Sequence, residues 1–154
     1  MTAITLNPIG YVHNVRLGLD DDNWGCIVSE IMLDESLPEE SLDGFETFSH
    51  VEIIFYFDQV ANEKEFPLSR HPRGNEDWPK VGIFAQRNKD RPNHLGLTIA
   101  SIVKREGRSL FVKGLDAVDG TPVLDIKPVF AEFLPREQIY QPNWSHELMK
   151  DYWD

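Results

Sequence analysis

The stretch GLTIASIVKREGRSLFVKGL, residues 96–115, decides the fold. Two runs rich in β-branched and aliphatic residues flank Glu106-Gly107, and that pair reads as a hairpin turn in which Gly107 supplies a positive φ. Outward from this hairpin the same rhythm recurs. Short apolar runs separated by turn signals predict strands over 9–15, 24–33, 50–57, 80–86, 96–104, 109–115 and 123–126. The run VEIIFYF, residues 51–57, is apolar at nearly every position, so both of its faces are expected to be covered. Asp119-Gly120 followed by Thr121-Pro122 predicts a second tight turn. Helix signals are few: one turn over 38–42, and a short helix over 145–150 capped by Ser145. Seven short strands with almost no helix predict an all-β fold, a small closed or nearly closed β-barrel with a short C-terminal helical tail. The barrel is expected over 1–140 and the tail over 141–154. That tail, QPNWSHELMKDYWD, carries Trp144, Tyr152 and Trp153. It is too apolar to hang free and too short to be a stable helix alone, so it is expected to dock on the barrel or on a second subunit. Residues 59–79 read either as a long functional or mobile loop or as a stretch that hides a further element.

Composition narrows the class. The chain has 154 residues, 41% hydrophobic and 27% charged, as expected of one globular domain with a real core. No window of 18 apolar residues exists, so no membrane partner is expected. The start, MTAITLNPIG, has neither the basic nor the apolar region of a secretory signal, and a cytoplasmic location is expected. The single cysteine, Cys26, excludes an internal disulfide and reads as a small buried residue within a strand. The net charge of −11 repels nucleic acid on average. Residues 64–91 depart from that average, with seven basic residues against four acidic ones.

Several chemistries find no support. The five histidines have no metal-ligand spacing, so no metal is expected. No G-x-S-x-G elbow, Walker loop or G-x-G-x-x-G loop occurs. Two constellations remain. In VGIFAQRNKDRPNHLGL, residues 81–97, a strand pattern ends near Arg87 and a polar loop carries Lys89, Arg91 and Asn93. Cations on such a loop suit a carboxylate or phosphate, and arginine offers a bidentate fork. In GLDAVDGTPVLDIKP, residues 114–128, Asp116, Asp119, Asp125 and Lys127 punctuate a strand–turn–strand. Carboxylates at strand ends can grip a pair of ribose hydroxyls. Equally, Asp119 can close an Asx-turn, and Asp125 with Lys127 can form an exposed cross-strand pair.

These two stretches, with PIGYVHNV at 8–15 and LDGFETFSHVEIIFYF at 42–57, resemble the TsaA-like (TrmO-type) family. Its best-described members are S-adenosylmethionine-dependent methyltransferases acting on N6 of the threonylcarbamoyl-modified adenosine beside the tRNA anticodon. The resemblance runs in order over most of residues 8–128, and DGTPVLDIKP is its most specific part. It implies a small, often dimeric β-barrel that holds the methyl donor without a Rossmann fold, and hence a homodimer. It places the S-adenosyl-L-methionine pocket at Asp58, Gln59, Arg87, Leu97, Lys113, Gly114, Leu115 and Asp116. The loop near Asp22 and Trp24 would close over it. In this reading Arg87 faces the donor's carboxylate or a substrate anion, Asp116 takes polar atoms of the nucleoside, and Leu97 and Leu115 sandwich apolar surface. Arg91 and Asn93 would meet the substrate, and His50 and Asp119 are the candidates for catalysis.

The chain departs from the family at two points. His94 stands where many members have proline, and Gln86-Arg87-Asn88 where they read threonine-arginine-serine. It is also expected to lack the further C-terminal domain of the tRNA enzymes. That expectation and the charge of −11 count against tRNA as the acceptor, with residues 64–91 as the only offset. The alternatives are methylation of a small molecule and a non-enzymatic module that binds the donor.

Overall fold

The computed structural model describes residues 2–60 and 66–154. It contains β1 (Gly10–His13), β2 (Val28–Leu33), β3 (His50–Tyr56), β4 (Ser69–Arg70), β5 (Val81–Gly82), β6 (Leu95–Glu106), β7 (Ser109–Lys113), β8 (Pro122–Pro128) and one α-helix, α1 (Asn143–Met149). Six strands close an antiparallel barrel in the order β1-β2-β7-β6-β3-β8, with β8 pairing back onto β1. β4 and β5 form a separate two-stranded ribbon. The all-β barrel read from the sequence is therefore the fold. Closure leaves no long edge on the main sheet to recruit another chain.

Side-chain alternation fills the barrel. Val12 of β1, Ile31 and Leu33 of β2, Val51, Ile53 and Phe55 of β3, Leu110 and Val112 of β7 and Val123 of β8 all point inward and are buried. VEIIFYF follows this alternation instead of being covered on both faces: Ile54 is half-buried and Tyr56 is exposed. Barrel closure satisfies its backbone, so only one apolar face has to be hidden. The β6–β7 hairpin turns at Gly107, whose φ is +55°. Val103 is unpaired between Ile102↔Val112 and Lys104↔Phe111, so it bulges from β6 and the inward rhythm ends there. Gly96 makes room for Phe55: a Cβ at this position would stand 2.4 Å from two ring carbons.

Several elements differ from the sequence reading. β2 begins at Val28 because residues 24–26 turn, Ile27 N–H donating to the Trp24 carbonyl at 3.1 Å, and Cys26 is exposed. Only Val81–Gly82 of the run 80–86 is strand; Ile83–Ala85 is a 3-10 turn. The stretch 59–79 holds β4 and a 3-10 turn over Pro72–Gly74, while its residues 61–65, Lys64 included, lie outside the described residues. The turn near 38–42 is 3-10 helix over Glu39–Leu42. Pro142, not Ser145, stands at the N-cap of α1, and Ser145 Oγ donates to the Pro142 carbonyl at 2.6 Å. Asp125 and Lys127 pair along one strand, at 2.6 Å, not across two. The lysine is held more firmly protonated by that bond to the Asp125 carboxylate.

Candidate functional site

The site forms where β3 ends, β6 begins, and the chain after β7 doubles back. β7 finishes at Lys113, which is exposed and pairs with Val28 and Ser101. Gly114, at φ +84°, turns the chain and donates its N–H to the Ile27 carbonyl at 3.0 Å. Leu115 then drops into the core, wholly buried, so its side chain serves packing and its backbone is what it offers a ligand. Asp116 comes back beside β6, where Thr98 Oγ1 donates to its Oδ1. Thr98 is a polar residue at an inward, buried position of β6, and its hydroxyl is satisfied by this carboxylate.

Arg87 meets the same edge of β6. Its Nη2 donates to the Leu97 carbonyl at 2.7 Å, which leaves the rest of the guanidinium fork uncommitted among the described residues. Leu97 points out of the barrel and is 47% exposed. Gln86 anchors Arg87: its buried amide nitrogen donates to the Arg70 and Val81 carbonyls at 3.1 Å each, and Asn88 Nδ2 donates to its oxygen at 3.0 Å. This long amide ties the β4–β5 ribbon to the segment that carries Arg87.

The loop beyond is internally braced. Arg91 Nη1 donates to the Gln86 and Asn88 carbonyls at 3.0 and 3.3 Å, while Asn93 is exposed. His94 has φ +49° and donates its N–H to the Arg91 carbonyl at 3.0 Å. Proline could satisfy neither requirement, which gives the departure at this position its structural meaning. The His94 carbonyl accepts from Phe57 N–H at 2.8 Å, and this bond sets the loop against the end of β3, where Asp58 and Gln59 stand exposed.

A residue that sequence reasoning passed over enters from the tail. Tyr152 donates its hydroxyl to Asp116 Oδ2, so both carboxylate oxygens are engaged. Burial, and then the adjacent Asp116 charge, push this phenol well above its ordinary range, and only the Arg87 guanidinium works against them. The tail reaches the site along residues 23–25. Asn23 N–H donates to the Asp151 carbonyl at 3.1 Å and Trp24 N–H to the Tyr152 carbonyl at 2.9 Å. That loop is itself braced. Arg16 stacks on Trp24 at 4.1 Å and donates to the carbonyls of Asp20, Asp22 and Asn23. Arg73 forks onto Asp22 at 2.8 and 3.2 Å, and that bond raises its pKa. The signal for Tyr152 was the aromatic content of the tail, and that for Thr98 was a polar residue at an inward position of β6.

The two catalytic candidates stand apart from this cluster. His50 opens β3, at the opposite end from Asp58, and its Nδ1 lies 2.7 Å from Ser49 Oγ. Asp119 Oδ1 accepts from Asn14 N–H at 3.0 Å, so it ties its turn to the segment after β1 and does not close an Asx-turn on its own.

The structure is thus a small closed β-barrel whose rim gathers a guanidinium, a carboxylate and an exposed leucine, with no glycine-rich phosphate loop. The chain belongs to the family described as the tRNA-methyltransferase O N-terminal domain, whose model matches residues 24–133. It is 41% identical over 111 residues to a tRNA (adenine(37)-N6)-methyltransferase of Mus musculus, covering 72% of this chain and 25% of that one. It is 39% identical over 147 residues to a "Probable S-adenosyl-L-methionine-binding protein" of Pyrococcus abyssi, covering 88% of this chain and 73% of that one. A crystal structure of TrmO from P. aeruginosa superposes with a TM-score of 0.74 at 26% identity, covering 92% of this chain and 62% of that one. The chain spans only a quarter to a third of the length of the mammalian relatives it matches.

Proposed function

We propose that the chain binds S-adenosyl-L-methionine at the Arg87–Leu97–Asp116 rim and transfers its methyl group to N6 of the adenosine beside the tRNA anticodon. The observation that carries this is the meeting of Arg87 and Asp116 on one edge of β6, through the Leu97 carbonyl and the Thr98 hydroxyl. The residues fit the donor's chemistry. Arg87 suits its carboxylate, Asp116 suits ribose hydroxyls or an ammonium, and Leu97 offers apolar surface to a base. Asp58 and Gln59, just past β3, complete the polar rim, with the Lys113–Leu115 backbone behind it. Bound there, the donor supplies an electrophilic methyl on a sulfonium.

What the chain supplies is positioning, which can provide much of the rate of an in-line transfer. Arg91 braces the loop that carries Asn93, and Asn93 faces the acceptor. The acceptor nitrogen must also lose a proton, and His50 and Asp119 are the groups whose Gln and Asn variants test for a base. The names of the relatives support tRNA as the acceptor, and Lys80 and Lys89 offer cations near the β4–β5 ribbon, where Arg70 and Arg73 are already paired with Asp90 and Asp22. The net charge of −11 favours a small-molecule acceptor as the second reading. The exposed outer stripe of Tyr56, Leu95, Leu97 and Ile99 supports a homodimer, which sedimentation would test. A cytoplasmic setting follows from the tRNA substrate; among the described residues no helix is long and apolar enough to cross a membrane.

The test is thermal unfolding with and without S-adenosylmethionine, with ATP as control. Donor at about a hundredfold over its dissociation constant stabilises by about 2.7 kcal/mol, a shift of several degrees. A cooperative transition that the donor leaves unmoved would refute the proposal.

A further inference from the structure

The tail raises a question that the donor reading leaves open. Asp116 already has partners on both oxygens, and one of them, Tyr152, belongs to a segment with no part in the barrel. Two cavities share Arg73 in their lining. One is lined by Arg73, Trp78, Glu147 and Asp151, the other by Pro67, Arg70, His71 and Lys80. Neither is lined by Arg87, Leu97 or Asp116. At Asp116 the rim is thus occupied by the tail's own Tyr152 hydroxyl, while Leu97 beside it stays exposed.

The tail's hold is local. It includes the two backbone bonds to Asn23 and Trp24, the bond from Trp78 Nε1 to Glu147 Oε2 at 2.8 Å, the Trp78–Trp144 ring contact at 6.4 Å, and the Tyr152 hydroxyl. The Trp153 carbonyl lies against Gly25, where a Cβ would stand 1.8 Å from its oxygen. Gly25 is thus required by the docked tail and not by its own backbone, whose φ is not positive. A carboxylate gripped by a neutral phenol is chemically similar to a carboxylate gripping a ribose hydroxyl.

We propose that residues 151–153 form a strap over the donor site, in which Tyr152 holds the Asp116 oxygen that a donor hydroxyl or ammonium would take, so that strap docking and donor binding exclude one another. The inference rests on the donor reading above. Donor affinity is then reduced by the fraction of molecules in which the strap is docked.

The experiment is calorimetric titration of S-adenosylmethionine into the full chain and into two variants. Tyr152→Phe removes the hydroxyl and keeps the ring. Gly25→Ala expels the Trp153 carbonyl and keeps Tyr152. Each is checked for a cooperative thermal transition. Both are expected to bind the donor about tenfold more tightly, as loss of a hydrogen bond to a charged acceptor implies. Hydrogen exchange at the Asn23 and Trp24 amides, which donate to the strap, is expected to accelerate when the donor is added to the wild-type chain. Unchanged or weaker donor binding in folded Tyr152→Phe overturns the strap, weaker binding making Tyr152 a donor ligand instead. Donor-independent exchange at these amides overturns it as well. If no form of the folded chain takes up the donor, the donor reading itself has failed, and the strap falls with it.

Discussion

Arg87 and Leu97, 10 positions apart, are joined by a hydrogen bond from Nη2 to a main-chain carbonyl at 2.7 Å. The bond fixes a guanidinium on the edge of β6 one residue from Thr98, which holds Asp116. A cation and an anion are thereby spaced along one strand by backbone geometry and not by pairing with each other. Arg87→Ala is expected to weaken donor binding about tenfold or more, and Arg87→Lys to recover only part of it, because the point charge cannot fork. Calorimetric titration of both variants measures this, and wild-type affinity in Arg87→Ala would refute the role.

The phenol of Tyr152 gives a pH signature. Its folded-state pKa is raised by burial and by Asp116, so the folded protein keeps a proton that the unfolded chain releases above about pH 10. Its contribution to stability is full below that value and declines as the pH rises beyond it. The thermal midpoint of the wild type should therefore fall more steeply above about pH 10 than that of Tyr152→Phe. Parallel profiles would contradict the buried, carboxylate-paired phenol.

His94 should not accept the family's proline. His94→Pro removes an N–H donated to Arg91 and cannot adopt φ +49°. A loss of at least about 1 kcal/mol is expected in denaturant unfolding, together with weaker donor binding as the loop carrying Arg87 is disturbed.

In the core, Gly96→Ala is expected to destabilise by about 1–3 kcal/mol, because its methyl would meet the Phe55 ring. The urea midpoint checks this. An unchanged midpoint would mean that Phe55 can rotate away at little cost.

For the acceptor, Lys80 is the exposed test position. If tRNA is the substrate, its binding falls steeply with salt, and Lys80→Ala lowers the salt slope by about 1 while leaving donor affinity unchanged. Methyl transfer indifferent to salt would favour the small-molecule acceptor.

The sequence by itself determined the barrel. Period-two alternation along β3, β6 and β7, and glycines at the turns, allow few other ways to hide Val51, Ile53, Phe55, Leu110 and Val112. It also marked Arg87 and Asp116, because charged residues at strand ends stand out from that alternation, whereas Leu97 was implied as a site residue only by the family resemblance. It misjudged residues 24–26 and 83–85, where apolar composition resembles a strand but a local i→i+3 hydrogen bond bends the chain into a turn. It could not place Tyr152 on Asp116, since that contact spans 36 positions and depends on where the tail crosses Gly25. Periodicity reports which face a residue turns toward the core. Only the closed barrel decides which distant segment comes to lie on its rim, because such a contact is set by long-range packing and leaves no repeat in the chain.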